Sequence, residues 1–323
     1  MNRHTLLFLS AALGATALPA LAEVPRVVTD IPVVHSLVQQ VMGTLGQPAL
    51  LLAAGGDPHH YQLRPSDARS LQEADLLVWV GPALTPWLER PAADLAAKGD
   101  ALALLDQPGT RRQDFAGGAH DHDDDDHDHD HDHDHEGHDH AHGEEGHHHS
   151  GVDPHAWLDP GNGAAWVQAI AQALSARDPE HAATYAANAE QAAAGIAALD
   201  GELQAALAPA KGKRFVVFHD AYGYFTSHFG LEPAIAVSLG DASTPSAARL
   251  KAIRAEIGAE GAACAFPEAN HDPRLIAAVT ESSAVRSGGA LDPEGSAAAP
   301  GPGLYAELLR GMAGTLADCL GQN

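Results

Sequence analysis

Short apolar segments alternate with helix-forming segments in two parts of the chain, and this alternation limits the fold more than any other feature. The predicted strands are 24–31, 49–53, 76–81 and 101–105 in the first part, and 214–219, 234–237, 263–267 and a short run near Ala290 in the second. Strands that alternate with helices favour parallel sheets with helices on both faces. The sequence therefore predicts an α/β fold with two doubly wound α/β lobes.

Residues 164–211 separate the two parts and have the composition of helices. A predicted helix over 164–176 is followed, after a break, by 182–208, which is dominated by Ala, Glu, Gln and Leu. These residues are strong helix formers, and a helix of that length would extend about 40 Å. We therefore expect a long rigid helix that joins an N-terminal lobe over 23–163 to a C-terminal lobe over 212–323.

Capping residues predict where two further helices begin. Ser66 or Asp67 would cap a helix that continues over 68–74, because their side chains accept hydrogen bonds from the first turn. In the second part, Thr244 would be the cap and Pro245 the first helical residue.

The first 22 residues have the features of a secretory signal peptide. Arg3 precedes an apolar run over 6–18, and Ala20 and Ala22 form the small-residue pattern of a cleavage site. A membrane anchor is the alternative, but the apolar run is shorter than the roughly 20 residues that span a bilayer. We therefore expect cleavage before Glu23 and a location in the periplasm.

Acidic residues outnumber basic ones, and half of the imbalance lies in one tract. The chain has 43 Asp and Glu against 18 Lys and Arg, a formal charge of −25. Residues 120–149 contribute 13 acidic residues, 13 histidines and no Lys or Arg. Nucleic acid is excluded as a partner, because its binding depends on Lys and Arg that neutralise phosphates.

The tract over 120–149 has too few apolar residues for a packed core, so we expect a disordered loop in the first lobe. Imidazoles and carboxylates at this density bind zinc, copper or nickel at several weak sites. One hypothesis is that the tract collects zinc for a tighter site, and the other is that it senses excess metal. Its weak auxiliary ligands would be His120, His122, His127, His129, His131, His133, His135, His138, His140, His142, His147, His148 and His149.

Cys264 and Cys319 are the only cysteines in the chain. Two cysteines in an exported protein tend to pair, and the alternative is a pair of buried thiols. A bridge would close most of the last third of the chain and, in the chain-entropy account, stabilise it by about 4 kcal/mol.

The pattern D-P-H-x-aromatic occurs twice, around His59 in DPHHY at 57–61 and around His155 in DPHAW at 153–157. Proline fixes its own φ and holds the preceding residue extended, so the histidine that follows is presented from a stiff loop. Both histidines are therefore predicted metal ligands.

His219 ends the predicted strand over 214–219, and α/β proteins bind ligands at the carboxyl ends of parallel strands. A histidine held in the core is the alternative interpretation. Three neutral imidazoles suit zinc, and a closed tetrahedral site needs a fourth ligand. The leading candidate for this fourth ligand is Asp292, and the others are His60, Glu268, His271 and a water molecule.

The order of these motifs along the chain carries a family resemblance. The motifs are HHYQLRPSD at 59–67, ADLLVWVG at 74–81, HAWLDP at 155–160, FHDAYGYF at 218–225 and LDP at 291–293. In this order they resemble the periplasmic zinc-binding proteins of bacterial high-affinity zinc ABC transporters, which belong to the cluster A metal-binding proteins. The match spans nearly the whole chain after the signal peptide.

The resemblance implies two α/β lobes joined by a long rigid helix, with one Zn²⁺ in the cleft between the lobes and an acidic His-rich insert in the first lobe. Relatives that carry manganese tend to have a carboxylate at the position of His219, so an imidazole there favours zinc. The site roles that the resemblance implies are metal ligation by His59, His155 and His219, a further candidate ligand in Asp292, and a disulfide between Cys264 and Cys319.

The predicted function is capture of Zn²⁺ by a monomeric protein that delivers it to a membrane permease with a separate ATPase subunit. The chain has no nucleophile–base pair and no phosphate-binding loop. Affinity should fall in acid, because each histidine must lose its proton to bind metal. Two alternatives are a secreted zinc hydrolase with a three-His site and Glu268 or Asp220 as its base, and a periplasmic zinc buffer or chaperone.

Overall fold

The structure is a computed structural model that describes residues 23–52, 55–96, 100–115 and 151–322. The predicted signal peptide and the histidine tract lie outside these residues, so both stay predictions. The boundaries proposed for the lobes also stay predictions. Among the described residues, no helix combines the length and the hydrophobicity that crossing a bilayer requires.

The first sheet has four parallel strands in the order β2-β1-β3-β4. The strands are β1 (Val27–Thr29), β2 (Ala49–Leu50), β3 (Leu76–Trp79) and β4 (Ala101–Ala103), and the accompanying helices are α1 (Pro32–Met42), α2 (Pro65–Glu73) and α3 (Glu89–Ala96). The two central strands, β1 and β3, are buried along their whole length. Apolar runs that are covered on both faces form strands of this kind.

Two long helices follow, α4 (Pro160–Arg177) and α5 (Ala182–Ala206), separated by a single 3₁₀ turn over Pro179–His181. The turn begins at Asp178, whose carboxylate accepts a hydrogen bond from the backbone N–H of His181. The predicted long helix is therefore confirmed, and it ends two residues earlier than expected.

The second sheet repeats the plan of the first, with four parallel strands in the order β6-β5-β7-β8. The strands are β5 (Phe215–His219), β6 (Ile235–Ser238), β7 (Cys264–Ala265) and β8 (Arg286–Ser287), and the helices are α6 (Gly223–Phe229), α7 (Ala247–Glu260), α8 (Arg274–Thr280) and α9 (Leu304–Leu320). These two parallel sheets confirm the predicted α/β fold.

Both predicted helix caps were wrong. Helix α2 begins one residue earlier than Ser66, with Arg64 as its cap, because the Asp67 carboxylate folds back to accept the backbone N–H of Arg64 at 2.9 Å. Helix α7 begins at Ala247 with Ser246 as its cap, since the Ser246 hydroxyl accepts the N–H of Arg249 at 3.2 Å. Thr244 and Pro245 precede this cap and lie outside the helix.

One hydrophobic core runs through both lobes. It is continuous from α1 and α4 through α5 to β5 and α9, and its members include Val34, Ile170, Ile196, Phe215 and Leu309. Polar contacts join the lobes as well, since the Tyr305 hydroxyl on α9 donates to the Trp157 carbonyl at 2.9 Å. This shared core, together with α5, fixes the position of one sheet relative to the other.

The cysteines form the predicted disulfide. Cys264 on β7 and Cys319 on α9 are bonded across a sequence separation of 55 residues. The bridge ties the last helix of the chain to the sheet of the second lobe, and both cysteines are buried.

Candidate metal centre

Three imidazoles from separate parts of the chain lie close together. His59 follows β2, His155 precedes a 3₁₀ turn over Ala156–Leu158, and His219 ends β5. Their ring centroids are 5.5 Å apart for His59 and His155, 6.0 Å for His59 and His219, and 5.2 Å for His155 and His219. One nitrogen from each ring lies within 4.8 Å of the other two. All three side chains are buried.

The two D-P-H loops place their histidines by the same local contact. The Asp57 carboxylate accepts the backbone N–H of His59 at 2.8 Å, and the Asp153 carboxylate accepts that of His155 at 3.0 Å. Such an Asx turn is a common use of aspartate two residues before the residue that it caps. The indole of Trp87 also donates to the Pro58 carbonyl at 2.6 Å, which holds the first loop in place.

Buried carboxylates orient two of the imidazoles. Nδ1 of His155 lies 2.8 Å from Oδ1 of Asp153, and Nδ1 of His219 lies 2.6 Å from Oε2 of Glu268. A carboxylate fixes a proton on the nitrogen that faces it, which leaves the other nitrogen free to bind a metal. The Tyr222 hydroxyl donates to the second oxygen of Glu268 at 2.9 Å and so orients this carboxylate in turn.

Glu294, which the sequence analysis did not single out, completes the cluster. Its Oε1 lies 3.9 Å from Nε2 of His59 and 4.0 Å from Nε2 of His219. This oxygen and the Nε2 atoms of His59, His155 and His219 are buried and have no hydrogen-bond partner. Buried polar atoms without a partner are rare in folded proteins and call for an explanation such as a bound ion.

The structure does not bring the leading candidate for the fourth ligand, Asp292, into the cluster. Its carboxylate closes a turn, where it accepts the backbone N–H groups of Ser296 and Ala297, each at 3.0 Å, and the Ser296 hydroxyl at 3.0 Å. Since both oxygens hold this turn, Asp292 shapes the loop that carries Glu294.

The other candidates have different surroundings. The side chain of His60 is 57% exposed and pairs with Asp57, so it lies at the mouth of the cleft. Glu268 supports His219 and Tyr222, and the ring of His271 stacks on Phe218 with centroids 4.1 Å apart. His219, Glu268 and His271 also offer ligand atoms within 4.8 Å of one another, although the Glu268 carboxylate is already hydrogen-bonded.

Burial sets the protonation of the cluster in the absence of metal. Burial lowers the pKa of both His59 and His155 well below the usual value, and the neighbouring imidazoles lower it further. Burial also raises the pKa of Glu294 to about 8. Burial alone would lower the pKa of His219. The neighbouring Glu268 carboxylate has the opposite and larger effect, and raises this pKa to about 9. Burial also raises the pKa of Asp153, behind His155, to about 7. Before metal binds at neutral pH, the four proposed ligands are therefore two neutral imidazoles, one imidazolium and a protonated carboxyl group.

Trp157 closes the cluster on the side of the first lobe. Its ring centroid lies 5.3 Å from that of His155, and its indole N–H donates to the Pro293 carbonyl at 2.8 Å. This hydrogen bond ties the loop of Asp292 and Glu294 in the second lobe to the His155 loop in the first. The site is thus built by both lobes and shielded by an aromatic ring.

The donor set indicates which metals the site can hold. Three imidazole nitrogens and one carboxylate oxygen match the tetrahedral nitrogen- and sulfur-rich shells of zinc, whereas calcium and magnesium take shells of oxygen. Glu268, one of the two bases proposed for the hydrolase alternative, is hydrogen-bonded at both oxygens. Asp220 belongs to none of the metal-ligating groups found among the described residues.

Comparison with known proteins gives a consistent result. A family model described as the periplasmic component A of the zinc-uptake complex, ZnuA, matches residues 27–319. The high-affinity zinc uptake system protein ZnuA of Paracoccus denitrificans is 74% identical over 99% of both chains, and that of Brucella abortus is 40% identical over 99% of both. Among solved structures, the periplasmic zinc-binding protein TroA of Treponema pallidum has the same fold, with a TM-score of 0.74 and 20% identity over 92% of this chain and 99% of TroA.

Proposed function

The chain belongs to the ZnuA family of periplasmic zinc-uptake components, and from this premise we propose that it captures Zn²⁺ in the periplasm and delivers it to an ABC permease. In this proposal the ATPase that drives transport is a separate subunit, and the protein itself makes and breaks no covalent bond. Binding, burial and release of one zinc ion are its whole cycle. The predicted signal peptide would place it in the periplasm.

The observation that carries the proposal is the convergence of four buried atoms without hydrogen-bond partners. They are the Nε2 atoms of His59, His155 and His219 and Oε1 of Glu294. Leaving such atoms unsatisfied costs about 1–3 kcal/mol each, and a metal ion would satisfy all four together. We therefore assign the zinc ligands as these three histidines and Glu294.

The carboxylates behind the ring nitrogens supply the rest of the binding chemistry. Asp153 and Glu268 hold the Nδ1 atoms of His155 and His219, so each ring would meet the ion in a fixed orientation. Removing such supporting partners typically costs about 10–100-fold in metal affinity. The buried negative charge of Glu268 also offsets part of the charge of Zn²⁺.

The assignment is tested by competition with a chromophoric chelator, tight enough to strip the weak sites of the tract, on the full chain. We expect one tight zinc per chain and a loss of at least about 100-fold in affinity in His155→Ala, which is about 2.7 kcal/mol. His181→Ala is the matched control, because His181 also pairs through Nδ1 with a nearby aspartate, Asp178, at 2.7 Å. A tight site that survives in His155→Ala, or manganese that displaces zinc, would contradict the proposal.

A second assay addresses the enzyme alternative. The zinc-loaded protein should not turn over esters or peptides, because the proposed fourth position is filled by Glu294 and leaves none for a reactive water. Turnover that disappears in His59→Ala would favour the hydrolase.

A further inference from the structure

The exposure of the side chains falls in steps from His60 and Asp57 towards the buried cluster. The side chain of His60 is 57% exposed, and that of Asp57 is 33% exposed. The side chains of His59 and Glu294 are 5% and 4% exposed. Those of His155 and His219 are fully buried. A zinc ion that reaches the buried site from this side would therefore lose contact with solvent gradually.

Asp57 connects the exposed and buried ends of this series. One carboxylate oxygen lies 2.9 Å from Nδ1 of His60, and the other accepts the backbone N–H of His59. Because a carboxylate has about four lone-pair sites, these two contacts leave Asp57 able to bind a cation. The pairing through Nδ1 also leaves Nε2 of the exposed His60 ring free to meet a hydrated ion.

Two groups of metal-ligating atoms overlap here. Asp57, His59 and Glu294 each offer one ligand atom, and these atoms lie within 4.8 Å of one another. His59 and Glu294 also belong to the buried cluster, where Oε1 of Glu294 is 3.9 Å from Nε2 of His59. An ion held by the outer group would keep these two ligands while it exchanges Asp57 for the inner histidines.

Stepwise exchange has a physical reason. Moving a bare cation from water into a buried site costs far more than moving one whose charge is already offset by carboxylates. Negative charges at a cleft also raise the rate at which cations arrive. A position with the carboxylate of Asp57 at the mouth would lower the barrier to loading without holding the ion as tightly as three imidazoles do.

We propose that Asp57, His59 and Glu294 form a loading position for Zn²⁺ at the mouth of the cleft, where they hold an ion first met by the exposed His60 before it reaches His155 and His219. This proposal rests on the proposed function, because it takes the buried cluster as the final zinc site. It assigns Asp57 to the path of the ion and not to its resting place.

The test measures zinc association and dissociation by stopped-flow with a fluorescent chelator, on full-length Asp57→Asn and His60→Gln. Asparagine keeps an oxygen that accepts the His59 N–H, so the loop should retain its shape. We expect both rate constants to fall by about tenfold in Asp57→Asn, and both to fall by a smaller factor in His60→Gln. Because a residue on the path changes both rates alike, the Kd should stay within about threefold of wild type.

The controls separate this proposal from simpler explanations. His181→Gln is the control, because His181 pairs with Asp178 as His60 does with Asp57 but lies outside the cleft. All variants carry the same histidine tract, so the tract does not account for a difference between them. Association at the wild-type rate in both test variants would overturn the proposal. Slower association with unchanged dissociation would also overturn it, because that pattern indicates electrostatic attraction only. Faster dissociation in Asp57→Asn would overturn it by making Asp57 a ligand of the final site.

The two proposals fail in different ways. If the wild-type chain lacks a tight zinc site, the proposed function fails. If the tight site is present and loading is insensitive to Asp57 and His60, only the loading position fails. Should Asp57→Asn not fold, as judged by circular dichroism, His60→Gln decides the result, because its exposed ring contributes little to packing.

Discussion

Replacing Glu294 by Gln removes one buried ionisable group from the cluster and keeps its shape. The pKa of Glu294 is raised by burial to about 8, and that of His219 is raised by Glu268, against the effect of burial, to about 9. Burial lowers the pKa of His59 and of His155 well below the usual value. Among the four proposed ligands, therefore, only Glu294 and His219 hold protons between pH 6 and pH 7 that zinc must displace.

These two protons set the sign and the size of the dependence of zinc affinity on pH. A group whose pKa lies above the ambient pH gives up a proton when zinc binds, so affinity rises with pH and falls in acid. Two such groups make the affinity of the wild type rise about 100-fold per pH unit, which is about 2.7 kcal/mol. In Glu294→Gln only His219 releases a proton, and the rise should be about tenfold, or about 1.4 kcal/mol.

The assay is a chelator competition at several pH values between 6 and 7, corrected for protonation of the chelator. Calorimetry in two buffers with different heats of ionisation would count the released protons directly, with one fewer expected for Glu294→Gln than for the wild type. Glu190→Gln, an exposed substitution on α5, is the control and should behave as wild type. If Glu294→Gln kept the wild-type dependence on pH, Glu294 would not ionise on binding and its assignment as a ligand would be refuted.

Two further predictions concern the framework of the site. Replacing both Cys264 and Cys319 by Ser opens a loop of 55 residues and should lower the free energy of unfolding by about 4 kcal/mol, measured by denaturant titration, while zinc affinity stays within error; an unchanged unfolding midpoint would contradict this. Gly163→Ala places a Cβ against the hydroxyl of the buried Tyr305 and should lower the free energy of unfolding by about 1–3 kcal/mol, measured by thermal unfolding. Gly195 on α5 has open space around it, so Gly195→Ala should not destabilise the fold. Equal melting temperatures for these two variants would count against tight packing between α4 and α9.

The sequence predicted the fold and the three imidazoles because the signals for both are local. Strand and helix alternation appears as apolar runs, and a Pro next to an Asp makes a stiff loop whatever surrounds it. The strand predicted over 24–31 is only Val27–Thr29 in the structure, because its partner β2 has two paired residues and its pairing with β3 ends at Thr29. Strand lengths depend on neighbours that are distant in the chain.

Glu294 was missed for a different reason. It stands two residues after Asp292, and both acids flank Pro293 in the same loop, so spacing alone does not tell which carboxylate faces the cleft. A signal was present, since Asp is favoured at the start of a turn, where it accepts nearby backbone N–H groups. Asp292 has that role here, which leaves the longer Glu294 to reach the histidines.

The core that runs through both lobes also governs how the molecule responds to its ion. Because helices α1, α4, α5 and α9 share one apolar interior with β5, neither lobe can lose its part of this shared core without exposing the part that belongs to the other. We therefore expect one cooperative transition in thermal unfolding in place of two. Zinc at 1,000 times its Kd would add about 4 kcal/mol to that one transition, so a ligand held by a few loops protects the entire chain from unfolding.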